Sequence, residues 1–129
     1  MIAIDTNVLV RALTNDNESP EQTKLAQEFI TSADKVFIPQ IVQIEFVWVL
    51  ERAYKVDKTN IIQALEILFN SSKYQLQHEE VFILALERFK ASKAGFADSL
   101  IATESQKIGC KLWTFDRKLS HQENVCRLV

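Results

Sequence analysis

The chain has 129 residues, 47% of them apolar and 25% charged, and seventeen acids against fifteen lysines and arginines leave a net charge of −2. Those proportions exclude an intrinsically disordered chain and leave room for a sizeable core. The slight acidity excludes a protein that coats nucleic acid by bulk charge, though not an enzyme that grips a polynucleotide at one place.

MIAID reads as a short buried strand that runs directly into a helix starting at Thr6 or Asn7. SPEQTKLAQEFITSA follows, with Ser19 as cap, Pro20 at the first helical position and apolar residues at 25, 26, 29 and 30, the pattern of an amphipathic helix. KVFIP is a second strand ended by Pro39, and QIVQIEFVWVLERAY a long, unusually apolar helix. KTNIIQALEILFNS is a further helix, for which Thr59 or Asn60 offers a cap, and KYQLQ a third strand. EEVFILALERFKAS and FADSLIATESQKIG are two more helices, the second closed by Gly109. KLWTF and VCRLV supply the last strands. Short strands separated by helices predict an α/β chain, a single domain over residues 1–129. Its architecture is a three-layer sandwich with helices flanking a parallel, about five-stranded sheet. No run of about 18 uncharged apolar residues is available to span a membrane. MIAID lacks the cationic start of a signal peptide, and Cys110 and Cys126 have no pairing logic, so a cytoplasmic protein with reduced thiols is expected.

Most acids lie on helices beside Lys, Gln or Arg, as Glu21, Glu28, Glu51, Glu66, Glu87 and Glu104 do, and read as solvated charges. Asp5, Glu45, Asp98 and Asp116 do not. In a parallel sheet every strand ends at one edge, where ligands usually bind. Asp5 ends the first strand and Asp116 follows KLWTF. Glu45 stands in the second turn after KVFIP, and Asp98 near the start of the helix that precedes KLWTF. The topology therefore delivers four carboxylates to that edge.

Each has a plainer explanation. Asp5 can cap the following helix, Asp98 can answer a helix dipole, and Asp116 can be an ordinary turn residue. Glu45, among Ile41, Ile44, Trp48 and Val49, is harder to place on a solvated face. Four carboxylates close together cannot all stay ionised without a cation. An oxygen-only set suits Mg²⁺ or Mn²⁺ rather than zinc, and His78 and His121 read as surface residues. A cation so held supports phosphodiester hydrolysis. Removing the four from seventeen acids leaves thirteen against fifteen bases, and seven Lys or Arg fall between Arg88 and Lys118. A locally basic rim could hold a nucleic-acid backbone.

DTNVLV at the start, IEFVWVLE in the third helix, FADSLIA before the penultimate strand and TFD after it resemble the PIN domain over essentially the whole chain. The size and the third helix look most like the VapC toxins of prokaryotic toxin–antitoxin pairs. The resemblance implies an endoribonuclease that cuts RNA with Mg²⁺ or Mn²⁺, and Asp5, Glu45, Asp98 and Asp116 match the family's acidic quartet. It further implies that Thr6 or Asn7 orients water or substrate and that Thr114 serves as the hydroxyl before the last Asp. Gln40 and Ile41 stand where relatives often open the helix with Ser or Thr. Phe46 to Leu50 and the stretch IIQALEILF make two helices apolar on several sides, which suggests a homodimer, and the resemblance adds an antitoxin partner. The alternative is a PIN-fold or receiver-like signalling module without nuclease activity. A receiver would need adjacent acids after the first strand, and Thr6 and Asn7 stand there instead.

Overall fold

Alternating apolar runs and capped amphipathic stretches become, in the computed structural model, six helices and five short strands among the described residues, 1–15 and 18–129. The chain divides into two units, Met1–Gln77 and His78–Val129.

The first unit runs β1 (Ile2–Ala3), α1 (Thr6–Leu13), α2 (Pro20–Ser32), β2 (Val36–Ile38), α3 (Gln40–Arg52), α4 (Lys58–Asn70) and β3 (Tyr74–Leu76). Its strands pair in chain order and in parallel, Ile2 beside Val36 and Val36 beside Tyr74. Each parallel connection in this unit is a pair of helices, which carries the chain back to the start of the next strand. Val36 and Ile38 on β2 are fully buried, with Leu9 from α1, Phe46 from α3 and Ile61, Leu65 and Leu68 from α4.

The second unit runs α5 (Glu79–Ala91), α6 (Phe96–Ile108), β4 (Leu112–Thr114), a 3-10 turn (Leu119–His121) and β5 (Val125–Arg127). β4 and β5 are parallel, with Leu112 beside Val125 and Thr114 beside Arg127. Phe96, at the start of α6, meets Phe82 and Phe89 of α5 edge-on, with ring centres 5.7 and 5.9 Å apart. Such edge-to-face pairs add to what burial alone contributes. Gly109 closes α6 with a φ of 87°, the left-handed conformation in which a glycine meets no Cβ penalty.

The α/β class, the parallel pairing and every expected element are present. The five strands pair as three and two rather than as one ladder, each being only two or three residues long. Local chemistry differs at the helix starts. Asp57, not Thr59 or Asn60, caps α4, accepting from the Asn60 N–H at 3.0 Å. Ser19 stands at the α2 cap without a side-chain bond. Pro39 precedes α3, and the open Gln40 N–H is satisfied from outside by the Gln77 side chain at 2.8 Å. That bond stands in for the Ser or Thr cap that Gln40 and Ile41 replace at this start.

Candidate active site

Asp5 leaves β1 through Ile4, which is buried, and becomes the cap of α1. Its Oδ1 accepts from the Val8 N–H at 3.2 Å, satisfying one of the open donors of the first turn. Asp5 itself is exposed, as is Ala3 before it. The buried strand expected from MIAID therefore forms over Ile2–Ala3 only and is not buried throughout. A two-residue strand at the end of its sheet covers little, and Asp5 needs no counter-charge to reside where it does.

Thr6 comes next, and its hydroxyl donates to Glu45 Oε1 at 2.7 Å. This bond ties the start of α1 to the second turn of α3 and places two carboxylates, Asp5 and Glu45, on either side of one threonine. Glu45 is exposed, and the apolar neighbours that made a solvated face hard to draw, Ile41 and Trp48, are themselves 65% and 55% exposed. The Arg52 guanidinium lies 4.8 Å over the Trp48 ring and covers part of that stripe. Val42, Phe46, Val47 and Leu50 form the buried face of α3 instead. Asn7 is exposed and lines, with Asp5, Arg11, Leu25 and Phe29, a groove of about 470 Å³ between α1 and α2. Of the apolar residues that mark α2 as amphipathic, Ala26 and Ile30 are buried, and Leu25 and Phe29 are exposed.

In the second unit Asp98 occupies the first turn of α6, half-buried, behind a Gly95 cap that offers no side-chain acceptor. Burial raises its pKa above the ordinary aspartate value, and the Asp116 carboxylate raises it further. Two like charges are thus held within electrostatic reach. Asp116 is fixed by its own turn: Oδ1 accepts from the N–H of Lys118 at 2.7 Å and of Leu119 at 3.2 Å. The Asp116 N–H donates to the Thr114 hydroxyl at 2.9 Å. Thr114 therefore orients the backbone that carries Asp116, as a neighbour rather than through its carboxylate.

Composition and spacing did not single out Gln122. It is buried, and its Nε2 donates to Ser92 Oγ at 2.9 Å and to Ser99 Oγ at 3.0 Å. Its Oε1 accepts from Arg88 at 3.2 Å, and Arg88 also donates to the Glu123 carbonyl and to Gln106. This network joins the end of α5, the residue after Asp98 and the segment that follows the Asp116 turn. A glutamine in the polar run SHQENV carries no pattern that would reveal it. His78 and His121 are exposed, and Cys110 and Cys126 are free thiols. Among the described residues no group of three or more His, Cys, Asp or Glu side chains is arranged to hold a metal ion, and no helix is long and apolar enough to cross a membrane.

Short parallel strands separated by helices, with Asp5 shortly after β1 and Asp116 shortly after β4, define an α/β protein. The PIN domain family matches residues 2–125, and the chain belongs to that family. A VapC ribonuclease from Aquifex aeolicus (strain VF5) is 27% identical over 112 residues, covering 86% of this chain and 83% of that protein.

Proposed function

We propose that the chain is a single nuclease domain over residues 1–129 that hydrolyses RNA phosphodiester bonds with a carboxylate-held Mg²⁺ or Mn²⁺. In this reading it is the toxin of a type II toxin–antitoxin pair and acts in the cytoplasm. The observation that carries the reading is Asp98, half-buried at the start of α6 with the Asp116 carboxylate within electrostatic reach, in a chain of the PIN family. Its resemblance to a named ribonuclease over most of its length supports RNA as the substrate.

The donor set fits the ion. Mg²⁺ keeps several waters and takes one or two carboxylates, so a pair is sufficient where a closed cage is absent. Asp98 and Asp116 would hold it, and the resemblance assigns Asp5 and Glu45 to the same acidic quartet. When bound, such a cation polarises a phosphate oxygen and makes a water a competent nucleophile near neutral pH. The chain's own part is orientation. Thr6 fixes one oxygen of Glu45 and leaves the other for water or substrate. Asn7 offers an exposed amide next to Asp5. The backbone N–H groups of Lys118 and Leu119 keep one Asp116 oxygen occupied and leave the second for a ligand, while Thr114 holds the Asp116 backbone.

Two protein partners belong to the same reading. The exposed Trp48 on α3 and Ile67 and Phe69 on α4 supply an apolar surface for a second copy. The groove beside Asp5, with Leu25 and Phe29 as anchors and Arg11 on its wall, suits an antitoxin segment.

The decisive experiment incubates purified protein with mixed cellular RNA in Mg²⁺ or EDTA and maps the new ends. Cleavage should require the metal, leave a 5′-phosphate and a 3′-hydroxyl, and vanish in Asp5→Asn and in Asp98→Asn while both variants stay folded. A 2′,3′-cyclic phosphate would assign the attack to the ribose hydroxyl instead and sink the mechanism.

A further inference from the structure

The second unit holds a concavity of about 490 Å³ lined by Ala91, Ser92, Lys93, Arg117, Lys118 and His121. That is a volume typical of ligand clefts, which run to about 300–1,000 Å³. Lys93, Arg117, Lys118 and His121 are all exposed, and no acid lines the cleft. Among the described residues none of the three cationic side chains forms an ion pair.

The walls are built, not incidental. One is the end of α5, where Ser92 Oγ accepts from the Ala94 N–H at 3.2 Å and from Gln122 at 2.9 Å. The other is the turn from Arg117 to His121. It is folded by the Asp116 carboxylate on the Lys118 and Leu119 N–H groups and closed by the His121 N–H on the Lys118 carbonyl at 3.3 Å. The bonds that fold this turn around the Asp116 carboxylate leave Arg117 and Lys118 exposed on it. Gln122 bridges the two walls.

We infer that this cleft binds the phosphate backbone of a single RNA strand next to Asp116, with Lys93, Arg117 and Lys118 as the phosphate-contacting residues. This rests on the ribonuclease reading and adds the surface that positions the substrate. The chemistry favours a polyanion with evenly repeated charge over an acidic peptide. A peptide interface draws its affinity from buried aromatic or aliphatic anchors, and Ala91 is the sole aliphatic side chain in this lining. Phosphate contacts fix register without reading sequence, so this cleft would set where the strand lies and not which bases are cut.

The test uses the full chain in EDTA, where no turnover occurs, with a short fluorescent single-stranded oligoribonucleotide followed by anisotropy between about 50 and 200 mM salt. Each lost phosphate contact lowers the slope of log affinity against log salt by about 0.7. The triple variant Lys93→Ala, Arg117→Ala, Lys118→Ala should lose about 2 from that slope and at least tenfold in affinity at low salt. A matched control, Lys24→Ala, Lys35→Ala, Lys111→Ala, removes three exposed cations outside the cleft and should keep the slope nearly intact. Equal losses in both variants, or none in the first, would overturn the inference, as would polyglutamate displacing the RNA as well as an unlabelled RNA strand does. Failure of metal-dependent cleavage with the binding result intact would reject the hydrolytic reading and leave this surface standing.

Discussion

The hydroxyl of Thr6 and the carboxylate of Glu45 meet at 2.7 Å across thirty-nine residues of chain. The bond lies near the surface, so its contribution to stability is small, about 1 kcal/mol. Its contribution to the site is larger, because a carboxylate on an exposed helix face otherwise samples several rotamers. Thr6→Val keeps the shape and removes the donor. The expected result is an RNA-cleavage kcat lowered about tenfold with a melting temperature within a few degrees of wild type, and Thr6→Ser should recover most of the activity. Unchanged kinetics in Thr6→Val would reduce this bond to a structural tie.

Asp98 makes the metal-free protein sensitive to pH in a definite direction. Its folded pKa lies above the unfolded value, because burial and then Asp116 disfavour the charged form. The folded state therefore binds the proton more readily, and stability falls as pH rises from the unfolded value through the raised one. In EDTA, wild type should melt higher at the acidic side of this window than at neutral pH. Asp98→Asn removes the dependence and should melt at least as high as wild type at pH 7. Asp116→Asn removes the smaller cause and should shrink the effect without abolishing it. Differential scanning calorimetry across pH decides it; an Asp98→Asn protein less stable than wild type in EDTA at pH 7 would contradict the sign.

Spacing and caps made the order of elements legible, since each helix repeats its apolar residues at the period its own backbone imposes. Asp98 and Asp116 were legible too, because their places beside KLWTF follow from chain direction in a parallel sheet. The faces were not. In α3 every residue from Phe46 to Leu50 is apolar, so the periodicity carries no phase, and only the neighbours decide that Trp48 turns outward and Phe46 inward. Leu25 and Phe29 misled for a related reason: they fit an amphipathic stripe, yet line an open groove. Bonds from distant polar side chains, Glu45 to the Thr6 hydroxyl or Gln77 to the Gln40 backbone N–H, leave no local mark at all.

That loss of phase decides where self-association can be tested. Leu65 on α4 is wholly buried in its own unit, and Ile62 beside it is half-buried. Leu65→Glu would bury an unpaired charge and unfold the protein, reporting nothing about a second copy. Ile67, 53% exposed on the same helix, is the appropriate site. Sedimentation of wild type at micromolar concentration should show a dimer. Ile67→Glu should shift it toward monomer with cleavage and melting behaviour preserved. A wild type that sediments as a monomer throughout would remove the second copy from the proposal.

The last prediction concerns Gln122, whose amide touches Ser92, Ser99 and Arg88 at once. Gln122→Leu preserves volume and strands polar groups that are buried or half-buried, a loss of about 1–3 kcal/mol. A shifted denaturation midpoint alone would show only that the network is structural. The network also sits between Ser99, which follows Asp98, and the end of the Asp116 turn, so slackening it should let the two carboxylates separate. Two further readouts then move together. Cleavage should fall in kcat more than in KM at a temperature where the variant is fully folded. The titration of Asp98 in metal-free protein should move down toward the ordinary aspartate value as Asp116 withdraws. If the variant loses stability while the Asp98 titration and kcat stay where they were, Gln122 holds the unit together without setting the distance between its acids.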